Sequence, residues 1–110
     1  MNIRAFIRMD KKDINVRIIQ RAFHMEKNVN TLIFDFGSYD LNGKNISLHF
    51  KPTDYKVEDI QPDNGLIFIP VVKGMLIQGI NKMQFTFNWE DNKIEQSPFI
   101  VWQIDESIII

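Results

Sequence analysis

The sequence predicts an all-β fold: an antiparallel β-sandwich of about seven or eight strands, Ig-like in general architecture, with at most one short helical turn. Three observations carry this. Apolar and polar residues alternate with a period of two through much of the chain, and side chains two apart on a strand share a face. Turn signals part these runs at roughly the 8–12-residue spacing of a sandwich. Nine Phe and two Trp favour pleated surfaces, while Ala5 and Ala22 are the only alanines, fewer than a helical bundle would use.

The elements follow in order. Two strands are expected near Ile3 to Met9 and Asn15 to Phe23, parted by the polar break Asp10 to Asp13. From Thr31 to Phe36, the residues Leu32, Phe34 and Phe36 share one face, with Thr31 and Asp35 opposite. From Asn45 to Lys51, Ile46, Leu48 and Phe50 alternate with Ser47, His49 and Lys51. The polar stretch Lys51 to Pro62 reads as a connection or a short edge strand. Asn42-Gly43 and Asn64-Gly65 supply the positive-φ positions of tight turns.

Leu66 to Val72 is apolar on both faces, the mark of a central strand, although Pro70 cannot donate to a ladder and prefers edges or strand ends. Val72, Met75, Leu76 and Ile80 recur at near-helical spacing, but Gly74 and Gly79 weaken a helix. A single turn or a crossover between sheets is expected there. The clearest strand is Lys82 to Glu90, where Met83, Phe85, Phe87 and Trp89 alternate with Gln84, Thr86, Asn88 and Glu90. Glu90-Asp91-Asn92-Lys93 reads as a hairpin turn. The last strand, Phe99 to Ile104, puts Phe99 and Val101 on one face and Ile100, Trp102 and Ile104 on the other.

The 110 residues suit one domain, 1–110, and the 45% hydrophobic and 25% charged content is that of a folded globular chain. No cysteine is present, so no disulfide or thiolate metal site exists and packing alone must hold the fold. No run of 18 apolar residues spans a membrane, and Met-Asn-Ile-Arg does not open into a signal-peptide core. The chain ends Ile108-Ile109-Ile110. This tail either pairs into the sheet or the polypeptide continues past it as the N-terminal module of a longer protein. The second is favoured, because an exposed apolar end is an aggregation hazard.

A net charge of −1 gives no global field for nucleic acid. The first 21 residues are nevertheless basic: Arg4, Arg8, Lys11, Lys12, Arg17 and Arg21 against Asp10 and Asp13. A solvated strand face is the plainer reading; a basic edge for a partner is the sharper one.

Catalytic chemistry finds little footing. His24 and His49 lack identifiable co-ligands and read as surface histidines, so neither a metal nor a cofactor is expected. Ser38, Ser47, Ser97 and Ser107 lie outside any Gly-x-Ser-x-Gly elbow, and Ser97-Pro98 reads instead as the start of the last strand. The pairs Glu58-Asp59 and Glu90-Asp91 are adjacent in sequence and point different ways. The glycines are isolated, so no phosphate loop is present. The aromatic side chains sit on inward faces and read as core rather than as base-stacking platforms. Tyr39, Tyr55 and Trp89 are the exceptions that could stack on sugars if exposed.

The order of features resembles the N-terminal domain of the phage baseplate upper protein family of siphophages of Gram-positive bacteria. The likeness runs from about Phe23 to Ile108. It begins with Phe23-His24-Met25-Glu26-Lys27-Asn28 and the strand Thr31-Leu32-Ile33-Phe34-Asp35-Phe36. Tyr39-Asp40-Leu41-Asn42-Gly43-Lys44 resembles a family turn, followed by Ile46-Ser47-Leu48-His49-Phe50-Lys51-Pro52. Asn64-Gly65-Leu66-Ile67-Phe68 and Gly79-Ile80-Asn81-Lys82-Met83-Gln84-Phe85 resemble two further elements, and Gln96-Ser97-Pro98-Phe99-Ile100-Val101-Trp102 resembles the ending. The sequence departs from the family at His24-Met25-Glu26 and at Met83.

The resemblance implies a non-enzymatic β-sandwich that joins a longer protein to the tail baseplate and supports a receptor-binding assembly. It implies other baseplate or tail proteins as partners, a homo-trimer formed through a region C-terminal to this chain, and a place in the virion after synthesis in the bacterial host cytoplasm. It carries over no catalytic or binding residue. Arg4, Arg8, Arg17 and Arg21 are the expected partner-binding residues, since arginine is enriched at interfaces. The alternative is a carbohydrate-binding β-sandwich module of a phage or cell-surface protein.

Overall fold

The computed structural model describes residues 2–11, 16–20, 31–77 and 79–104, with the backbone alone for residues 2, 3, 16–20 and 104. These residues form nine strands and no helix. The strands are β1 (Asn2–Phe6), β2 (Val16–Gln20), β3 (Thr31–Asp35), β4 (Asn45–Lys51), β5 (Lys56–Val57), β6 (Leu66–Pro70), β7 (Gly79–Trp89), β8 (Lys93–Gln96) and β9 (Ile100–Ile104). The all-β sandwich is the expected one. The part of the expected second strand beyond Gln20 lies outside the described residues.

Two sheets make the layers. The smaller has the order β1-β3-β6, and the larger β2-β9-β7-β4-β5, with β8 also on β7. Most pairs are antiparallel, but β1 runs parallel to β3 and β2 parallel to β9. The N-terminal strands thus add to different sheets, one on each, rather than forming a hairpin together. Period-2 patterning sets which face a strand buries but not which neighbour it takes or in which direction, so the parallel pairs were not foreseeable.

The core lies between the sheets. From the smaller sheet come Ala5, Leu32, Phe34, Ile67 and Ile69. From the larger come Ile46, Leu48, Phe50, Met83, Phe85, Phe87, Ile100 and Trp102. These are the inward positions expected for β3, β4, β7 and β9. Aromatic rings knit the layers: Phe34 meets Phe85 edge-on at 4.9 Å, and Phe36 meets Phe85 and Phe87 at 5.1 and 5.3 Å. Such edge-to-face pairs contribute about 0.5–1.5 kcal/mol each beyond their area.

One expectation is corrected. Among the described residues the apolar stretch Leu66 to Val72 is not a central strand: β6 is the end strand of the smaller sheet, paired there with β3 alone. Ile67 and Ile69 face the core, while Phe68 is 44% exposed and Pro70 is exposed. Two devices blunt its far edge. Asp63 and Leu66 close a tight turn through reciprocal backbone bonds of 2.8 and 3.0 Å, with Asn64 and Gly65 both at positive φ as that turn requires. Pro70 then removes a donor.

The segment after β6 crosses between the sheets through turns, as expected. Buried Asn81 fastens it, since its side chain accepts from the Ile77 N–H (2.9 Å) and donates to the Ile77 carbonyl (2.8 Å). β7 accordingly starts at Gly79, three residues before the period-2 pattern becomes visible. β9 covers the first half of β7 and β8 the second. The gap between them is the buried pair Ser97-Pro98, where the Ser97 Oγ accepts from the Phe85 N–H (3.0 Å) and donates to the Pro98 carbonyl (2.8 Å). That hydroxyl stands in for a ladder partner.

Candidate docking surface

The smaller sheet presents an outer face that period-2 alternation makes apolar. Register aligns Arg4, Ile33 and Phe68 in one row and Phe6, Asp35 and Leu66 in the next. Phe6 is 66% exposed, with Ile33 half-buried on the middle strand and Leu66 half-buried on the end strand. Thr31 and Pro70 extend the face by a further row. Its one charge pair is internal: Arg4 Nη2 donates to Asp35 Oδ2 at 2.8 Å, and the guanidinium carbon lies 5.2 Å from the Phe6 ring centre. The Arg4 hydrogen bond, helped by the Gly37 N–H on Oδ1 (2.9 Å), holds the Asp35 carboxyl below its ordinary pKa.

The face runs at the Phe6 end into an open cleft of about 840 Å³. Its walls come from the chain after β1 (Ile7 to Asp10) and the loop after β3 (Phe36 to Asp40), with Lys44. Arg8 and Asp10 form an exposed ion pair of 2.8 Å on its rim, and the Arg8 side chain lowers the Asp10 pKa.

Two of the four arginines have described side chains. Arg4 sits on β1 and Arg8 just after it, each already paired with a carboxylate. Arg17 lies in β2 of the other sheet, opposite Val101, and its side chain is outside the described residues, as is Arg21. What sequence reasoning missed is the apolar set Phe6, Ile33, Leu66 and Phe68. The available signal was the two-faced apolarity of β6, which marks an apolar exterior as well as a buried strand.

The aromatic residues considered for sugars are half-buried and engaged. Tyr39 donates its hydroxyl to Glu95 Oε1 at 2.6 Å; burial first, and then that carboxylate, push its phenol well above the ordinary value. The Lys44 ammonium, bonded to the Asp40 carbonyl, lies 4.0 Å from the Tyr39 ring centre and 4.5 Å from that of Trp89. Tyr55 packs edge-on against Phe50 at 6.1 Å, away from this group. No flat, open ring platform results.

His49 is an exposed side chain 3.6 Å from Asp54, which Lys51 also contacts and whose pKa that lysine lowers. His24 lies outside the described residues. Glu58 pairs with Lys56 at 3.0 Å and Glu90 with Lys93 at 3.5 Å, as ordinary surface ion pairs. Among the described residues no three His, Cys, Asp or Glu side chains converge as a metal site, and no helix is long and apolar enough to cross a membrane.

The architecture has a solved counterpart. It is shared with a phage domain. The chain superposes on the N-terminal domain of phage TP901-1 ORF48 with a TM-score of 0.68, covering 96% of this chain and 98% of that one at 10% sequence identity. At that identity the likeness shows the fold, spanning nearly the whole of both chains. No family model and no curated protein matches the sequence.

Proposed function

We propose that this chain is a non-enzymatic structural module of a phage or prophage tail baseplate, and that it attaches a receptor-binding assembly to the baseplate by docking on neighbouring tail proteins. The observation that carries the reading is the end-to-end fold likeness to a phage domain. It meets a sequence resemblance to baseplate upper proteins that rests on motif order alone. The surface agrees in kind: Phe6 and Phe68 stand exposed on a sheet face beside a cleft, while the candidate sugar-stacking rings are half-buried against the core. The chain acts as one domain, and the homo-trimer expected from the resemblance would form outside it.

Immunogold labelling of tail particles released by prophage induction tests the reading. Gold clustered at the tail tip is the expected result. Intact tails without label, beside a positive label on a known tail protein, would remove it. A glycan-binding module, the competing reading, predicts retention on a glycan array together with quenching of Trp89 fluorescence.

A further inference from the structure

Two Asn-Gly pairs occur in the sequence, Asn42-Gly43 and Asn64-Gly65. All four residues are exposed, and Asn42, Asn64 and Gly65 line one open depression of about 520 Å³. Asparagine is a chemically labile residue. Its side-chain amide is most readily attacked when glycine follows, because no Cβ shields the next backbone nitrogen and the chain there turns freely. The two pairs therefore carry the same reactive chemistry in the same solvent. Their backbones differ.

Asn64 and Gly65 both stand at positive φ, +51° and +77°, the pattern of a type I′ turn. Reciprocal backbone bonds of 2.8 and 3.0 Å between Asp63 and Leu66 close that turn on both sides. At the other pair only Gly43 is at positive φ, +70°, as in a type II turn. This turn is fastened at its start, where the Asn42 N–H donates to Asp40 Oδ1 at 2.9 Å. Attack requires the Asn Cα–C bond to rotate until the Gly nitrogen comes beside the side-chain carbonyl carbon. At Asn64 that rotation pulls against both bonds of the closed turn. At Asn42 the rotating peptide lies beyond the anchored N–H, so the anchor survives.

We infer that Asn42 is a self-modifying site, converting to aspartyl and isoaspartyl residues far faster than Asn64. The Gly43 amide nitrogen loses its proton to solvent base and forms a bond to Asn42 Cγ. The Cγ–Nδ2 bond breaks, and Nδ2 takes up a proton and leaves as ammonia. Water then opens the five-membered imide. Cleavage of its bond to Cγ gives aspartate. Cleavage of its bond to the main-chain carbonyl carbon gives isoaspartate, with the chain running through Cγ. In balance one water enters and one ammonia leaves, and nothing is oxidised or reduced. The product adds a negative charge to a chain of net charge −1. It does so between Asp40 and Lys44, which both line the 840 Å³ cleft. The inference stands apart from the baseplate reading.

Incubating the protein in mildly alkaline buffer tests it. Samples are digested at intervals, and peptide mass spectrometry follows the amide-to-acid mass gain at both positions. Labelling with an isoaspartyl methyltransferase then counts the isoaspartyl linkages. Conversion is expected to be at least roughly tenfold faster at Asn42, the ratio produced by about 1.4 kcal/mol of extra cost in opening the Asn64 turn. In strong denaturant the two rates are expected to draw together. Equal native rates, or a faster rate at Asn64, overturn the inference. So does an equal gap in denaturant, which would assign the difference to neighbouring side chains and not to the fold. Native Asn42 that stays intact while the denatured chain converts overturns it as well. An Asn42→Gln variant, folded by circular dichroism, should lose most of the methyltransferase signal, and an undiminished signal would place the reaction elsewhere and sink the assignment.

Discussion

The two sheets bury the same kind of inner face and differ on the outside. Outward from β4 and β7 of the larger sheet stand Asn45, Ser47, His49, Lys51, Ile80, Lys82, Gln84, Thr86 and Asn88, all polar but Ile80. Outward from β3 and β6 stand Thr31, Ile33, Asp35, Leu66, Phe68 and Pro70. The fold needs only the inner faces. Antiparallel strands with one solvated side show clean alternation, as β4 and β7 from Lys82 onward do. The smaller sheet carries Ile33, Leu66 and Phe68 on its outer side as well.

Five substitutions break or sharpen this contrast. The largest effect belongs to the inner face: Phe34→Ala, which removes a fully buried ring from contact with Phe85, should cost about 3–5 kcal/mol in urea unfolding. Its neighbour across the pleat supplies the contrast. If Phe68→Ser lowers stability comparably, the outer face is part of the core and the comparison collapses; a cost of about 1–2 kcal/mol is expected for a ring 44% exposed. The same variant should bind a hydrophobic dye more weakly than the parent chain, whereas Thr86→Ser should leave dye binding unchanged.

Between these extremes lies Ser97→Ala. It strands the buried Phe85 N–H that the hydroxyl now satisfies, at a cost of about 1–3 kcal/mol. Faster hydrogen exchange at the Phe85 amide would locate the loss, and an unchanged exchange rate would refute the stand-in role of the hydroxyl. The smallest effect is electrostatic. Arg4 depresses the Asp35 pKa from its ordinary 3.8. A depressed carboxylate adds stability that is present above the unfolded pKa and fades as pH falls through the folded one. Arg4→Met should therefore raise the Asp35 pKa in an NMR titration and flatten the loss of stability on the acid side of 3.8. No change in that titration would remove the ion pair from solution.

The legibility of the sequence follows the same division. β4 and β7 could be read residue by residue, because one buried face and one wet face print alternation directly into the chain. The turns at Asn64-Gly65 and Glu90 to Lys93 were equally plain, since positive φ at Asn64, Gly65, Glu90 and Asn92 selects a narrow set of residues. β6 misled because an apolar run on both faces occurs in central strands and in end strands alike, and local pattern does not separate them. The pairing of Arg4 with Asp35, 31 positions away, and the place of Arg17 in a strand of the larger sheet are tertiary facts that proximity in sequence does not reveal. The parallel pairing of β1 and β2 is likewise a property of tertiary closure.

That pairing also has a mechanical consequence. β2 runs parallel to β9 over five matched residues, Val16 against Ile100 through Gln20 against Ile104. A pull applied at the start of β2 and at the end of β9 acts along the strands in opposite senses. It slides one strand past the other and loads the ladder bonds together, whereas a pull on neighbouring ends of a hairpin peels its bonds one at a time. In single-molecule stretching from these two points the domain should yield in one step and at a higher force than when drawn from the turn between β7 and β8. A clasp of this geometry lets a small domain without cysteines bear tension along its length, resisting a tug far better than its modest core would suggest.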